Sequence, residues 1–286
     1  MDGVAVTAFF QTLVQGLLTG GLYALIGTGL SLIFGVMKII NFAHGGFLTL
    51  GGYVPLLAQQ AGLGPWWGAL AALCVGMVFG AVVERTIVKP LHARPLDAIL
   101  ATWGLGIVIG QVITLVFGRG VQFVESPLAG TVEVLGTETS LYRLAFVGIA
   151  IVVALAIAAL LNGTRLGLVT RAVTMNESLA RALGVNSAAV RLSAFALGAG
   201  LACLAGALIT PLSSVDPNMG VPWLTNAFML AMVSGTSFGA LGVACLLLGG
   251  AQVLVSVLVS PILGSLTIVV LGAVALRIRP GGFARG

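Results

Sequence analysis

Long apolar runs follow one another along this chain with only short polar breaks between them. They lie at about 9–35, 41–60, 64–84, 97–117, 141–161, 192–212, 223–258 and 262–277. A helix needs roughly 20 residues to cross the hydrocarbon core of a bilayer, so most runs suit one crossing each. Only 7% of the 286 residues are charged, against roughly 25% in a soluble domain. Eight acids and thirteen bases cannot solvate a soluble protein of this size. The pattern predicts a single all-α polytopic membrane domain over residues 1–286, with about eight transmembrane helices (8–10), some broken or re-entrant.

Small residues say how such helices meet. The 41 glycines suit a tight bundle, because lipid tails are as apolar as Leu and close backbone approach supplies the packing. GxxxG spacing occurs at Gly16/Gly20, Gly76/Gly80, Gly106/Gly110 and Gly235/Gly239, and is expected to pack helices within the chain. Cys74, Cys203 and Cys245 fall inside apolar runs without metal-ligand spacing and read as small buried residues.

The bases are placed unevenly. The 85–96 segment holds Arg85, Lys89 and Arg94, the 162–191 loop holds Arg165, Arg171, Arg181 and Arg191, and the tail holds Arg277, Arg279 and Arg285. By the positive-inside rule these face the cytoplasm, and 118–140, with Glu125, Glu133 and Glu138, faces outside. This placement argues against nucleic acid as the partner of the basic charge. No base precedes Lys38, so the first run reads as a retained span with the N-terminus outside. N-outside and C-inside demand an odd number of crossings, whereas hydropathy yields eight. One run must be split or re-entrant. The candidates are 223–258, broken by Ser234-Gly-Thr-Ser-Phe-Gly239, and 41–60, which opens on a polar cluster. Gly20 to Tyr53 and Leu197 to Gly239 also share an order of small-residue helix, polar break and apolar run, as inverted repeats do.

Three places could carry polar chemistry inside the membrane. Asn41-Phe-Ala-His44 reads either as a helix break beside a permeation path or as a capped turn with His44 bonded between helices. Thr102 and Trp103 could line a pore, or Trp103 could anchor at the interface. Ser234 and Thr236 either face a wet cavity or close a tight turn. Asn41, His44, Thr102, Ser234 and Thr236 are the candidates for a translocation path.

In the 162–191 loop, Thr174-Met-Asn-Glu177 reads as a capping box and Gly184 as the stop of a short helix. Glu177 and Arg181 stand i, i+4 in the favourable order. Leu179 and Leu183 form an apolar stripe with little reason to face water, which suggests docking. Asn186-Ser187 would cap the following span. No Gly-Lys pair exists, hence no phosphate-binding loop, and HExxH is absent as well. The chain is therefore read as a non-enzyme without cofactor or metal of its own. A stand-alone channel or secondary transporter remains as an alternative, although the interiors of the apolar runs offer no Asp or Glu for an ion relay.

Taken together these segments resemble the branched-chain amino acid type of ABC-importer permease. The resemblance spans nearly the whole chain. It rests on Gly21-Leu-Tyr-Ala-Leu-Ile-Gly27, Ile40-Asn-Phe-Ala-His-Gly45, Glu84-Arg85 with Lys89-Pro-Leu91, Thr164-Arg-Leu-Gly167, Ala180-Arg-Ala-Leu-Gly184 and Arg279-Pro-Gly-Gly-Phe283. It implies a multi-pass subunit of a bacterial-type inner membrane. It further implies two ATPase subunits that hold ATP and Mg, a second related permease or a copy of this chain, and an extracytoplasmic substrate-binding protein. The loop helix would then be the coupling helix, with Arg171, Thr174, Glu177, Ala180, Arg181 and Gly184 facing an ATPase. Ala101-Thr-Trp-Gly104 and Arg171-Ala-Val-Thr174 look similar to the urea and short-chain amide branch, so both cargo classes stay open.

Overall fold

A computed structural model describes residues 2–134, 137–235 and 237–279. The helices are α1 (Asp2–Met37), α2 (Ala43–Gln60), α3 (Pro65–Val83), α4 (Pro95–Phe117), α5 (Leu141–Gly163), α6 (Arg165–Met175), α7 (Glu177–Ala182), α8 (Ser187–Ser213), α9 (Gly220–Ser234), α10 (Phe238–Leu258) and α11 (Pro261–Ile278). A π-helical turn, Glu84–Val88, extends α3. Proline opens α3, α4 and α11, where its missing N–H is no loss. Ser237 and Ser260 cap α10 and α11 through their hydroxyls, which matters where no water can satisfy a helix end.

The all-α expectation holds apart from one hairpin that the sequence reading did not anticipate. Strands β1 (Thr131–Val134) and β2 (Thr137–Ser140) pair antiparallel in the segment before α5. Three of these eight residues are Thr and two are Val, a β-branched content suited to strands.

Seven helices are long and apolar enough to cross a membrane: α1, α3 with its π turn, α4, α5, α8, α10 and α11. Two of the eight runs do not form one long span each, and they are the two expected to be split or re-entrant. The 223–258 run is divided into α9 and α10, as its polar break suggested, and α9 is short. The 41–60 run forms α2, which begins part-way into the bundle: His44 lies against Ile26 and Gly29, well inside α1. Helix directions alternate. The pairings Gly16–Gly250 and Gly27–Leu241 set α10 against α1, and Gly76–Cys203 and Gly80–Ala199 set α3 against α8. Counting α2 and α9 with the seven gives nine passes, so α1 starts and α11 ends at opposite ends of the bundle. An odd count is what termini on opposite sides require.

The helix pairs α1–α2 and α8–α9 share one order of elements in opposite directions, as inverted repeats do. Lys38 ends α1 with φ +54° and Ser214 ends α8 with φ +65°. Among the described residues these are the two non-glycine positions in the left-handed region. After each, the chain turns back and starts a shorter helix inside the bundle, α2 or α9. The two short helices run in opposite directions and meet N-terminus to N-terminus, where Gly220 N donates to Thr49 Oγ1 at 3.1 Å. A Cβ on Gly45 would lie 3.0 Å from the carbonyl oxygen of Gly220, so this approach needs glycine on both sides.

The core gathers around α8, where most residues from Ala194 to Thr210 are buried. Three GxxxG pairs pack internally as expected: Gly16/Gly20 on α10, Gly76/Gly80 on α8, and Gly106/Gly110 on the start of α2 and Pro217. The fourth does not, because Gly235 turns the chain with φ +65° and Gly239 meets only Ser237.

Candidate functional site

Two regions hold the candidate residues, one at the basic end of the bundle and one in its middle. At the basic end, Thr164 caps α6 by accepting from Gly167 N at 3.4 Å. The cap of α7 is Asn176, whose Oδ1 accepts from Leu179 N at 3.0 Å. This corrects the capping-box reading. Thr174 belongs to the last turn of α6, where its hydroxyl donates to Thr170 O at 2.8 Å. Asn176 is extended, with φ −155°, the cap conformation, and that breaks the segment into two helices. Gly184 does stop α7: its φ is +85°, Gly184 N donates to Arg181 O, and Val185 N donates to Ala180 O, each at 3.0 Å. The Asn186 cap on α8 also holds, with Ala189 N donating to Oδ1 at 3.0 Å.

The Glu177–Arg181 pair is not formed. Glu177 instead accepts from Arg191 of α8 and lies 3.8 Å from His92 Nε2. Arg191 is only 11% exposed in its side chain. A charge-assisted bond in that sheltered position outweighs an exposed i, i+4 pair on a helix of six residues. Glu84, the first residue of the π turn, is buried and feels the charge of Arg191. His92, Glu177 and Arg191 thus tie the 89–94 loop, α7 and α8 together, with Glu84 of α3 within reach of the same charge. Outside the spans, burial pushes the Glu177 carboxyl up, but hydrogen bonds from Ser187 and Arg191 outweigh it and hold it below 4.5. Burial, with help from Arg191, lowers His92 below 6.5 despite Glu177. His92 was not singled out from sequence, and Arg191 only as one of the bases of the loop. An acid at the end of an apolar run, Glu84, was the available signal.

The remaining loop residues sort by burial. Ala180 points into the core, and Leu179 and Leu183, 56% and 76% exposed, present the expected apolar stripe. Arg171 donates to Asn162 Oδ1 at 3.0 Å on the surface, and Arg181 is exposed.

In the middle of the bundle, α2 brings three candidates together. Asn41 Oδ1 accepts from Ala43 N at 3.1 Å, an N-terminal turn that pairs a backbone donor. His44 is fully buried and bonds Ile26 O through Nε2 at 3.3 Å. Thr102 donates to Ile99 O and accepts from Phe42 N, so it pins α4 to the start of α2. Trp103 is exposed on the outer surface of α4. Ser234 is apart from these. It closes α9 by donating to Ala231 O at 3.0 Å, about 20 Å along that helix from the meeting with α2. Thr236 lies outside the described residues. A polar group missed from sequence joins α1, α9 and α10: Tyr23 donates to Gln252 Oε1 and accepts from Asn226 Nδ2, each at 2.9 Å.

The chain is similar to known proteins over most of its length. It is 27% identical to the high-affinity branched-chain amino acid transport system permease protein LivH of Salmonella typhimurium, covering 88% of this chain and 87% of LivH. It is 25% identical to BraD of Pseudomonas aeruginosa, a permease protein of the same description, over 79% of each chain. Among solved structures, PsaBC from Streptococcus pneumoniae in complex with Fab superposes with a TM-score of 0.53 at 14% identity, covering 98% of this chain and 96% of that one. That likeness concerns the fold. The model of the family described as branched-chain amino acid transport system / permease component matches residues 12–278, so the chain belongs to that family.

Proposed function

We propose that the chain is the membrane-spanning permease subunit of an ABC importer for branched-chain amino acids. It works with two ATPase subunits that bind ATP and Mg, a second permease or a copy of itself, and an extracytoplasmic substrate-binding protein. It sits in a bacterial-type inner membrane, acidic end and N-terminus outside, basic end and C-terminus in the cytoplasm. The observation that carries this reading is the α6–α7 hairpin. It exposes Leu179 and Leu183 while Glu177, on the same short helix, grips Arg191 of α8. A helix that is apolar outward and ion-paired inward can receive a push from a docked protein and pass it to the central helix of the bundle. Relatives named for branched-chain amino acid transport support the cargo. In this reading Asn41 and His44, near the meeting of α2 and α9, lie beside the moving path.

The test is leucine uptake in proteoliposomes holding the complete importer. Uptake should require ATP, and Gly184→Pro should reduce it at least about tenfold at unchanged membrane insertion, since proline cannot adopt positive φ. Uptake surviving that change would remove the coupling role of α7. Uptake by this chain alone would favour a channel or secondary transporter, and uptake of urea without leucine would move the cargo to the amide branch.

A further inference from the structure

A cavity of about 190 Å³ opens near the acidic end, between α1, α5, α8 and α9. Its walls are of two kinds. Leu18, Leu22, Phe146 and Ile209 make an apolar lining. Arg143 stands at one side, and Trp223 is part of the wall. Arg143 is one of only two Lys/Arg assigned to this end of the protein, the other being Arg119. It donates to Gln15 Oε1 at 3.3 Å. A guanidinium has five N–H donors, and among the described residues no other protein acceptor engages this one. Trp223 lies 5.6 Å, ring centre to ring centre, from Tyr23, whose hydroxyl belongs to the polar group with Asn226 and Gln252. One aromatic pair therefore separates the cavity wall from the polar side chains Asn226 and Gln252.

Size and chemistry restrict what fits. Drug-sized ligands occupy roughly 300–1,000 Å³, and a dry cavity of about 150 Å³ holds benzene. A space of about 190 Å³ suits a solute slightly larger than benzene. An available guanidinium selects a carboxylate, which it can meet with two parallel hydrogen bonds. The aliphatic wall selects an apolar body. The face of Trp223 can meet an ammonium. We propose that this cavity binds a free aliphatic amino acid such as leucine or valine, with Arg143 holding its carboxylate. This rests on the amino-acid cargo proposed above and adds a substrate station on the permease itself. A neutral amide would gain nothing from Arg143.

The experiment uses the complete importer in nanodiscs and in proteoliposomes, with Arg143→Gln, Arg143→Lys and Trp223→Phe. Leucine added without binding protein should change tryptophan fluorescence in wild type, and the change should vanish in Trp223→Phe. Leucinamide, which lacks the carboxylate, should produce little change. Arg143→Gln should weaken the leucine response and slow uptake about tenfold, the scale of a lost hydrogen bond to a charged group. Arg143→Lys, which keeps the charge, should recover part of both and serves as the control for folding. Equal responses to leucine and leucinamide would overturn the proposal, as would wild-type uptake by Arg143→Gln. Loss of binding-protein affinity in Arg143→Gln with an intact leucine response would also overturn it, making Arg143 a docking contact. A fluorescence change that follows phosphatidylglycerol content rather than leucine would assign the cavity to lipid. Wild-type leucine uptake that ignores every Arg143 variant sinks this site but leaves the importer reading standing, whereas no leucine uptake at all sinks that reading.

Discussion

Arg191 and Glu177 are 14 residues apart in sequence, yet their ion pair sets the electrostatics of the basic end. His92 shares it. Burial first and Arg191 second push His92 below its ordinary value of 6.5, and Glu177 pulls only partly the other way. The folded protein therefore takes up a proton at His92 less readily than the unfolded chain does. Stability linked to neutral His92 is present above about pH 6.5 and is lost as the pH falls through that value toward the folded-state pKa. Glu177 acts in a lower window. Its folded pKa lies below 4.5, so its contribution is present above that value and is lost only as the pH falls beneath it. Of these two groups, the histidine is the one whose window falls between about pH 7 and pH 5. The purified protein should lose more of its Tm across that interval than His92→Gln does. Parallel slopes for the two proteins would exclude His92 as the source.

At the scale of elements, α7 shows which signals act locally. Its stop was legible because only one backbone conformation ends a helix this way and Gly184 adopts it without strain. Its start was misassigned by two residues. Thr174 satisfied the capping-box spacing, but α6 continues through Met175 and leaves the cap to Asn176. Asn176→Ala should cost about 1 kcal/mol of local stability. That loss should appear as faster hydrogen exchange at the amides of Leu179 and Ala180. Thr174→Ala should leave those amides unchanged, since its hydroxyl serves α6. The reverse ranking would restore the capping box. Partner choice was less legible than helix limits. Arg181 was the nearest base to Glu177 by spacing, and only the return of α8 beside α7 brings Arg191 within reach. Thr102 shows the same limit: its place in an apolar run was evident, but not that Phe42 N would be its donor.

For the whole molecule, hydropathy reports composition and not depth. It therefore found the 41–60 run without showing that the run starts inside the bundle. The likeness between the Gly20–Tyr53 and Leu197–Gly239 segments carried that information. It pairs α1–α2 with α8–α9, down to the left-handed residues Lys38 and Ser214. The two repeats touch where α2 meets α9, and rocking of one repeat on the other would pivot near this approach. The contact is backbone on backbone. A Cβ on Gly220 would fall onto the carbonyl group of Gly45, and a backbone carbonyl cannot turn aside as a long side chain can. Gly220→Ala should therefore force the repeats apart and cost about 1–3 kcal/mol, the range of overpacked cores. Gly148→Ala on α5 is the matched control, because a Cβ there meets nothing within 4 Å. It should be neutral, or stabilise by up to about 1 kcal/mol through helix propensity. Thermal unfolding in detergent would compare the two. Equal Tm values for Gly220→Ala and Gly148→Ala would mean that α2 and α9 are not held at this distance, and the close meeting of the repeats would have to be abandoned.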